Sequence, residues 1–204
     1  MMNLTTDILK LGERLDKRRF NEAESFEIKI INNEIIVSNQ STLMLFSFQE
    51  SKKEISTDKP EQGYLRIFGC DAKFTEIYRK CINFRSLINT NDNFSYKLLV
   101  KVRILEGNSF EAINKGINKL LEINNVPMLY FPDIKVYSMN EYILRDPSKN
   151  EINGFFIVAK AKGIIIYAEL IDGEVNLETI KNCVNDKLVD KVEVINEKNK
   201  KIKR

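Results

Sequence analysis

Between Leu98 and Leu121 the apolar pattern changes period, and that change dictates a strand running into a helix. Val100, Val102 and Ile104 alternate with Leu99, Lys101 and Arg103, the period-two signature of a half-buried strand. Glu106-Gly107-Asn108 then reads as a turn. Beyond it Phe110, Ile113, Ile117, Leu120 and Leu121 recur every three or four residues, so they share one face of a helix. Pro127 ends that helix. A strand and a helix each with one apolar side bury them most simply against each other, which points to helices laid on a sheet.

The rest of the chain extends this plan. Thr5 or Thr6 with Asp7 predicts a short capped helix over 7–13. Phe26–Ile31 and Glu34–Val37 predict paired strands around an Asn32-Asn33 turn. Ser41–Phe48 is apolar on both faces and predicts a central strand. Lys52–Gln62 reads as a charged connection and Tyr64–Phe68 as another alternating strand. A stripe through Phe74, Ile77, Tyr78, Cys81, Ile82 and Phe84 predicts a helix over Lys73–Ile88. Gly154–Ala159 and Gly163–Leu170 predict a second hairpin, and Leu177–Leu188 a last helix. No Pro-, Gly- or Ser-rich linker interrupts the chain. The reading is α/β (α+β): a single domain over 1–190, its N-terminal helix and arm (1–25) included, with a basic tail over 191–204.

Composition narrows the chemistry. With 204 residues, 43% hydrophobic and 30% charged, the chain reads as globular. There is no histidine, which rules out Ser-His-Asp and Cys-His catalysis and the common His-containing zinc sites. Cys70, Cys81 and Cys183 are an odd count without CxxC spacing, pointing to a reducing compartment rather than a disulfide framework. No signal peptide, membrane span, metal site or cofactor is expected. The net charge of +3 is too small to reveal a basic surface by itself.

Four blocks in order carry a family likeness. Leu11-Gly12-Glu13-Arg14-Leu15-Asp16-Lys17-Arg18 is similar to an opening "G-R-x-D-G-R", with Lys17 where glycine normally stands. Pro60-Glu61-Gln62-Gly63-Tyr64-Leu65 is similar to "P-x-x-G-x-L". Leu99–Leu121 supplies the strand, turn and helix. Asp146-Pro147-Ser148-Lys149-Asn150-Glu151 is similar to "D-P-T-x-E-E". Over about Leu9 to Leu188 the sequence resembles the RNase PH-like ring subunits of the eukaryotic RNA exosome core, on the partner-type, non-phosphorolytic branch. The resemblance implies a ribosomal protein S5 domain 2-like fold with mixed sheets and flanking helices.

It also implies what a phosphorolytic site would need: a phosphate loop, a helical arginine pair and two spaced acids. The loop position falls at Ala168–Glu174, with one glycine, no hydroxyl and three carboxylates that would repel phosphate. Arg79 fits the first arginine, Ile82 stands at the second, and Arg85 is a displaced substitute. Asp146 fits the first acid, Ile152 stands at the second, and Glu151 is the nearest carboxylate. Asp146 and Glu151 are thus read as vestigial acids, and no catalytic residue is assigned. Arg79, Arg85 and Arg18 are read as RNA contacts, against the alternative of solvated or salt-bridged surface arginines. Tyr130, Phe131 and Tyr137 are read as core or interface rather than base-stacking residues.

The expected function is that of a structural, catalytically inert subunit completing a six-membered ring with other RNase PH-like chains. S1/KH cap subunits and a hydrolytic RNase II/R-like nuclease would join it, and single-stranded RNA would thread through. The outcome would be RNA degradation and RNA (including rRNA) processing in nucleus, nucleolus and cytoplasm. The alternatives are an active phosphate-dependent 3′–5′ exoribonuclease of this fold and a free-standing RNA-binding module.

Overall fold

The Asn32-Asn33 hairpin forms as the sequence predicts. In the computed structural model both asparagines have left-handed backbones, with φ of 50° and 64°, the two positive angles a type I′ turn requires. β1 (Glu27–Ile31) and β2 (Glu34–Ser38) pair antiparallel across it. The structure describes residue 9 and residues 13–14, 16–55, 63–91, 93–138, 143–147, 154–172 and 175–185. The helix expected over 7–13, the Pro60–Gln62 motif residues, Glu151 and the basic tail lie outside these, wholly or in large part.

The remaining elements are β3 (Leu43–Glu54), β4 (Tyr64–Phe68), α1 (Ala72–Arg79), a 3₁₀ turn (Phe84–Leu87), β5 (Ile88–Asn89), β6 (Phe94–Glu106), α2 (Phe110–Ile123), β7 (Asp133–Ser138), β8 (Phe155–Ala161), β9 (Ile164–Ile171) and α3 (Leu177–Val184). The first six strands form one sheet in the order β1-β2-β3-β6-β4, with β5 paired to β6; β7-β8-β9 form another. Only β4 runs parallel to its neighbour in the larger sheet. The chain's contacts gather into two compact units, described in turn.

One unit comprises Ser25–Ile134 and Ala159–Tyr167. The inward residues of its sheet, among them Ile35, Phe46, Leu65, Leu98 and Val100, are fully buried. Helix α2 covers β2 and β3, and α1 covers β4. Ser109 caps α2 by accepting the Ala112 N–H at 3.1 Å. Its far end closes on Asn125, whose φ of 50° serves where glycine is usual. Gly107 turns the chain from β6 into α2 with φ of 73°, and a Cβ there would lie 2.4 Å from the Thr42 hydroxyl. Phe74 and Phe110 stack at 5.4 Å and join the two helices.

At the outer edge of the sheet, β4 is closed by a side chain. The Thr75 hydroxyl accepts the Ile67 N–H at 3.1 Å and donates to the Ile67 carbonyl at 3.3 Å. The opposite edge, β1, is exposed along its whole length.

Three expectations need correction here. The helix over 73–88 stops at Arg79. The chain then leaves it so that Ile82 bridges Met128, Asn83 N–H donates to the Pro127 carbonyl at 2.8 Å, and Leu129 N–H donates to that of Cys81 at 2.7 Å. The apolar stripe past Tyr78 therefore belongs to this cross-connection and the 3₁₀ turn. Likewise β3 runs on to Glu54 through residues read as a connection. Lys52, Lys53 and Glu54 pair with Tyr96, Ser95 and Phe94, and the ladder satisfies their backbone whatever their side chains. Nor is β3 buried on both faces; only Met44 and Phe46 are fully covered.

The other unit comprises the described residues of Met1–Glu24, Lys135–Val158 and Ala168–Arg204. Tyr137, Phe156, Val158 and Cys183 form its core, with Ile143, Val175, Ile180 and Val184 packed around them. The Tyr137 hydroxyl donates to the Cys183 carbonyl at 3.2 Å. Asn176 caps α3 by accepting the Thr179 N–H at 2.7 Å. A smaller cluster joins Leu9, Phe20 and Leu144.

All three cysteines are free. Burial pushes the Cys70 and Cys81 thiols up to about 12, aided at Cys70 by the Asp71 charge and opposed at Cys81 by Lys80. No helix among the described residues is long and apolar enough to cross a membrane.

Helix and sheet approach closely at Gly116, where an added Cβ would lie 2.3 Å from the Phe46 ring. Gly116→Ala gains about 1 kcal/mol of helix propensity but overpacks a buried ring at a cost of ~1–3 kcal/mol. We expect a net loss of about 1 kcal/mol in urea unfolding; a stabilised variant would show that the helix does not rest on Phe46.

Candidate functional site

The basic run at 14–19 folds into a tight turn, and its charges go to different places. Lys17 N–H donates to the Arg14 carbonyl at 3.0 Å, and Lys17 takes a left-handed φ of 64°. This is the position at which the resembling motif carries glycine, and the backbone shows why glycine suits it. The Arg14 side chain is wholly buried. It donates to the carbonyls of Glu22 (3.2 Å), Arg145 (2.9 Å) and Asp146 (3.1 Å). Its guanidinium thereby ties the N-terminal arm to the Asp146 turn.

Arg18, read from sequence as an RNA contact, is engaged in the same turn. It meets the Asp16 carboxylate at 2.7 Å through Nε and at 2.6 Å through a terminal nitrogen. It also reaches Glu24 at 3.4 Å, the Asp146 carboxylate at 3.6 Å and the Asp146 carbonyl at 3.2 Å. Asp146 itself is buried with φ of 47° and accepts the Glu24 N–H at 3.1 Å through its carboxylate. The structure thus brings two of the sequence-singled residues together, Arg18 and Asp146, as a charge pair inside a turn. Among the described residues no group of three or more His, Cys, Asp or Glu side chains could hold a metal ion.

Asp16 feels both burial and its neighbours. Burial raises its carboxyl, but the side-chain and backbone hydrogen bonds of Arg18 and the charges of Arg14 and Arg18 outweigh that and hold it below the usual range.

The arginines assigned to one helix are separated. Arg79 is the last residue of α1, whereas Arg85 sits in the 3₁₀ turn beyond the point where that helix ends. Both are exposed. Arg79 lies over the Tyr64 ring at 5.7 Å, which Lys97 also approaches at 5.2 Å. Tyr64, Arg66, Phe68, Thr75, Arg79 and Lys80 line part of an open groove of about 730 Å³ along β4 and α1. Sequence reading passed over Tyr64, Arg66, Phe68 and Lys97, although the alternation of their strands already placed each on an outward position.

The segment read as a phosphate loop begins as a strand. Ala168–Ile171 are the last residues of β9, and only Asp172, with φ of 49°, starts a turn. Gly173 and Glu174 lie outside the described residues. Of the three aromatics considered for stacking, Tyr137 is core, as the sequence suggested. Tyr130 instead donates its hydroxyl to the Lys80 carbonyl at 3.1 Å, and Phe131 is 42% exposed.

No family model matches the sequence, and no curated protein matches it significantly. Solved structures do. An Archaeoglobus fulgidus exosome with RNA bound to the active site superposes with a TM-score of 0.72 at 15% identity, over 89% of this chain and 91% of that one. This chain has the RNase PH-like fold of exosome core subunits. An archaeal exosome core structure gives a TM-score of 0.72 at 14% identity, over 89% of each chain. Rice (Oryza sativa) Rrp46 gives 0.64 at 12% identity, over 85% of this chain and 92% of that one. The RNase PH-like fold expected from the ordered sequence blocks is the fold observed.

Two outcomes test the N-terminal turn. A carboxyl held low in the folded state adds stability above its unfolded value, about 3.9, and loses it as pH falls through the folded one. Asp16→Asn should therefore be less stable than the parent at pH 7 and should lose less stability below about pH 4, followed by thermal unfolding against pH. A parallel acid slope in both proteins would show that the Asp16–Arg18 pair adds nothing. Lys17→Gly relieves a left-handed non-glycine residue and should stabilise by about 1 kcal/mol, whereas Lys17→Val should destabilise; the reverse order in urea unfolding would refute the turn geometry.

Proposed function

We propose that this chain is a structural, non-phosphorolytic subunit of an exosome core, completing a ring through which single-stranded RNA reaches an associated 3′–5′ exoribonuclease. The shared fold supports the placement in an exosome core. The observation that carries the inert reading is the state of Asp146: buried, bonded to Glu24 and facing Arg18. A carboxylate so committed is not free to position a metal or move a proton. The strand conformation of Ala168–Ile171 adds support, because a ladder directs backbone amides to neighbouring strands rather than into an anion nest.

Ring neighbours would cover apolar surface that the chain leaves open. Ile30 and Ile31 on β1 are about half exposed, at 52% and 50%, and Ile164 on β9 is 69% exposed. Strand edges of this kind suit closed assemblies. Further partners in this reading are S1/KH cap subunits and an RNase II/R-like nuclease. The sites of action would be nucleus, nucleolus and cytoplasm, and the work RNA processing, rRNA maturation included, and decay.

Native purification of the tagged chain with mass spectrometry, paired with a phosphate-dependent RNA degradation assay on the purified chain, tests the reading. Near-equal recovery of other RNase PH-like chains and no release of nucleoside diphosphates are expected. A lone monomer would overturn the ring placement, and phosphate-dependent diphosphate release would overturn the inert assignment.

A further inference from the structure

The face of the larger sheet opposite its helices carries an unusual charge pattern over β3, β6 and β4. Strand alternation and register place Tyr64, Lys97 and Ser51 in one cross-strand row, Arg66, Leu99 and Gln49 in the next, and Phe68, Lys101 and Ser47 in a third. Lys53 and Arg103 extend the face at its two ends. Across Ser47–Lys53, Lys97–Arg103 and Tyr64–Phe68, no outward position holds Asp or Glu. Glu50 takes the opposite phase of β3.

Among the described residues none of Arg66, Lys97, Lys101 or Arg103 makes an ion pair. Two of them instead lie by aromatic rings on the same face, Arg66 at 4.5 Å from the Phe68 centroid and Lys97 at 5.2 Å from that of Tyr64. Arg79, from α1, is a second cation over Tyr64. The acid nearest in this groove, Glu76, is paired with Lys80 at 3.3 Å. Phe68 is 38% exposed and Arg66, Lys101 and Arg103 are exposed outright.

We propose that this open sheet face binds single-stranded RNA, with bases stacking on Phe68 and Tyr64 and phosphates meeting Arg66, Lys97, Lys101 and Arg103. Stacking on exposed rings combined with a tract of cations is how sequence-tolerant single-strand binders work. The two rings sit four residues apart on one strand, about 13 Å at ~3.3 Å per residue, so they engage separate bases. An acidic protein would satisfy the cations but has no use for two rings in this arrangement. Duplex is disfavoured as well, since its bases are already stacked and offer no face to a ring. The assignment deepens the RNA-threading reading and rests on it for the choice of RNA over other polyanions.

The test is fluorescence anisotropy of the full chain with a labelled oligouridylate, repeated across salt concentrations. Phe68→Leu keeps an apolar side chain but removes the ring, and should weaken binding roughly tenfold. Lys101→Ala and Arg103→Ala should each flatten the salt dependence of log K by about 0.7. Arg66→Gln provides a second exposed-site variant should Phe68→Leu lose its circular-dichroism spectrum. Lys119→Ala, on α2 and paired with Glu122, should bind as the parent does.

Unchanged affinity in Phe68→Leu, Arg66→Gln and Lys101→Ala, or no RNA binding by the chain, overturns the assignment. Competition by poly-glutamate as effective as that by unlabelled RNA overturns it in favour of an acidic protein surface. The same variants carried through native purification separate the two readings. Ring neighbours recovered with unchanged RNA affinity sink the sheet face alone, and RNA binding by a chain that recovers no neighbours sinks the ring alone.

Discussion

The contact between the tip of the Phe46 ring and α2 at Gly116 sets the terms for the larger unit. With no side chain at Gly116, the helix settles close enough to cover the inner faces of β2 and β3. Ile113, Ile117 and Leu120 on the helix and Ile35, Met44 and Val100 on the sheet are all buried. The three-to-four period along α2 is satisfied by that approach, while the period of two along β6 shows in the burial of Leu98, Val100 and Val102. Because both helices lie on one side, the other side of the sheet keeps its outward residues.

A net charge of +3 conceals two very different treatments of cations. Arg14 and Arg18 lie inside a turn, where carbonyls and carboxylates absorb them, and removing either would leave buried acceptors without donors. Arg66, Lys101 and Arg103 stand exposed on an open sheet and make no ion pair among the described residues. The first group holds the Asp146 turn to the N-terminal arm; the second generates a local positive field that the overall sum does not register.

What could be read from the sequence followed from local chemistry. Asn32-Asn33 announces a turn that only positive φ permits, and the Gly107 junction is marked by a change of period on either side. The ordered blocks also carried the fold, since each reflects a backbone requirement; Lys17 shows one such requirement met without the usual glycine. What could not be read depends on distant chain. The helix from Ala72 ends early because residues 127–129 capture the backbone of 81–83, and β3 continues through charged residues because β6 is alongside. Arg18 could not be recognised as bound from its own neighbourhood, because Asp146 lies 128 residues away.

The Thr75 hydroxyl on β4 gives the larger sheet a direction. At Ile67 a strand arriving from outside would find the N–H and the carbonyl already occupied by one side chain. At β1, exposed along its five residues, β2 is the only strand alongside among the described residues, so the N–H and C=O groups on its outer side are open to another strand. The sheet is therefore sealed at one margin and extensible at the other, so that any lengthening by added strands proceeds from β1 outward and stops at β4. A helix-borne threonine acts as an end-stop, a form of polarity written into hydrogen bonding rather than into shape.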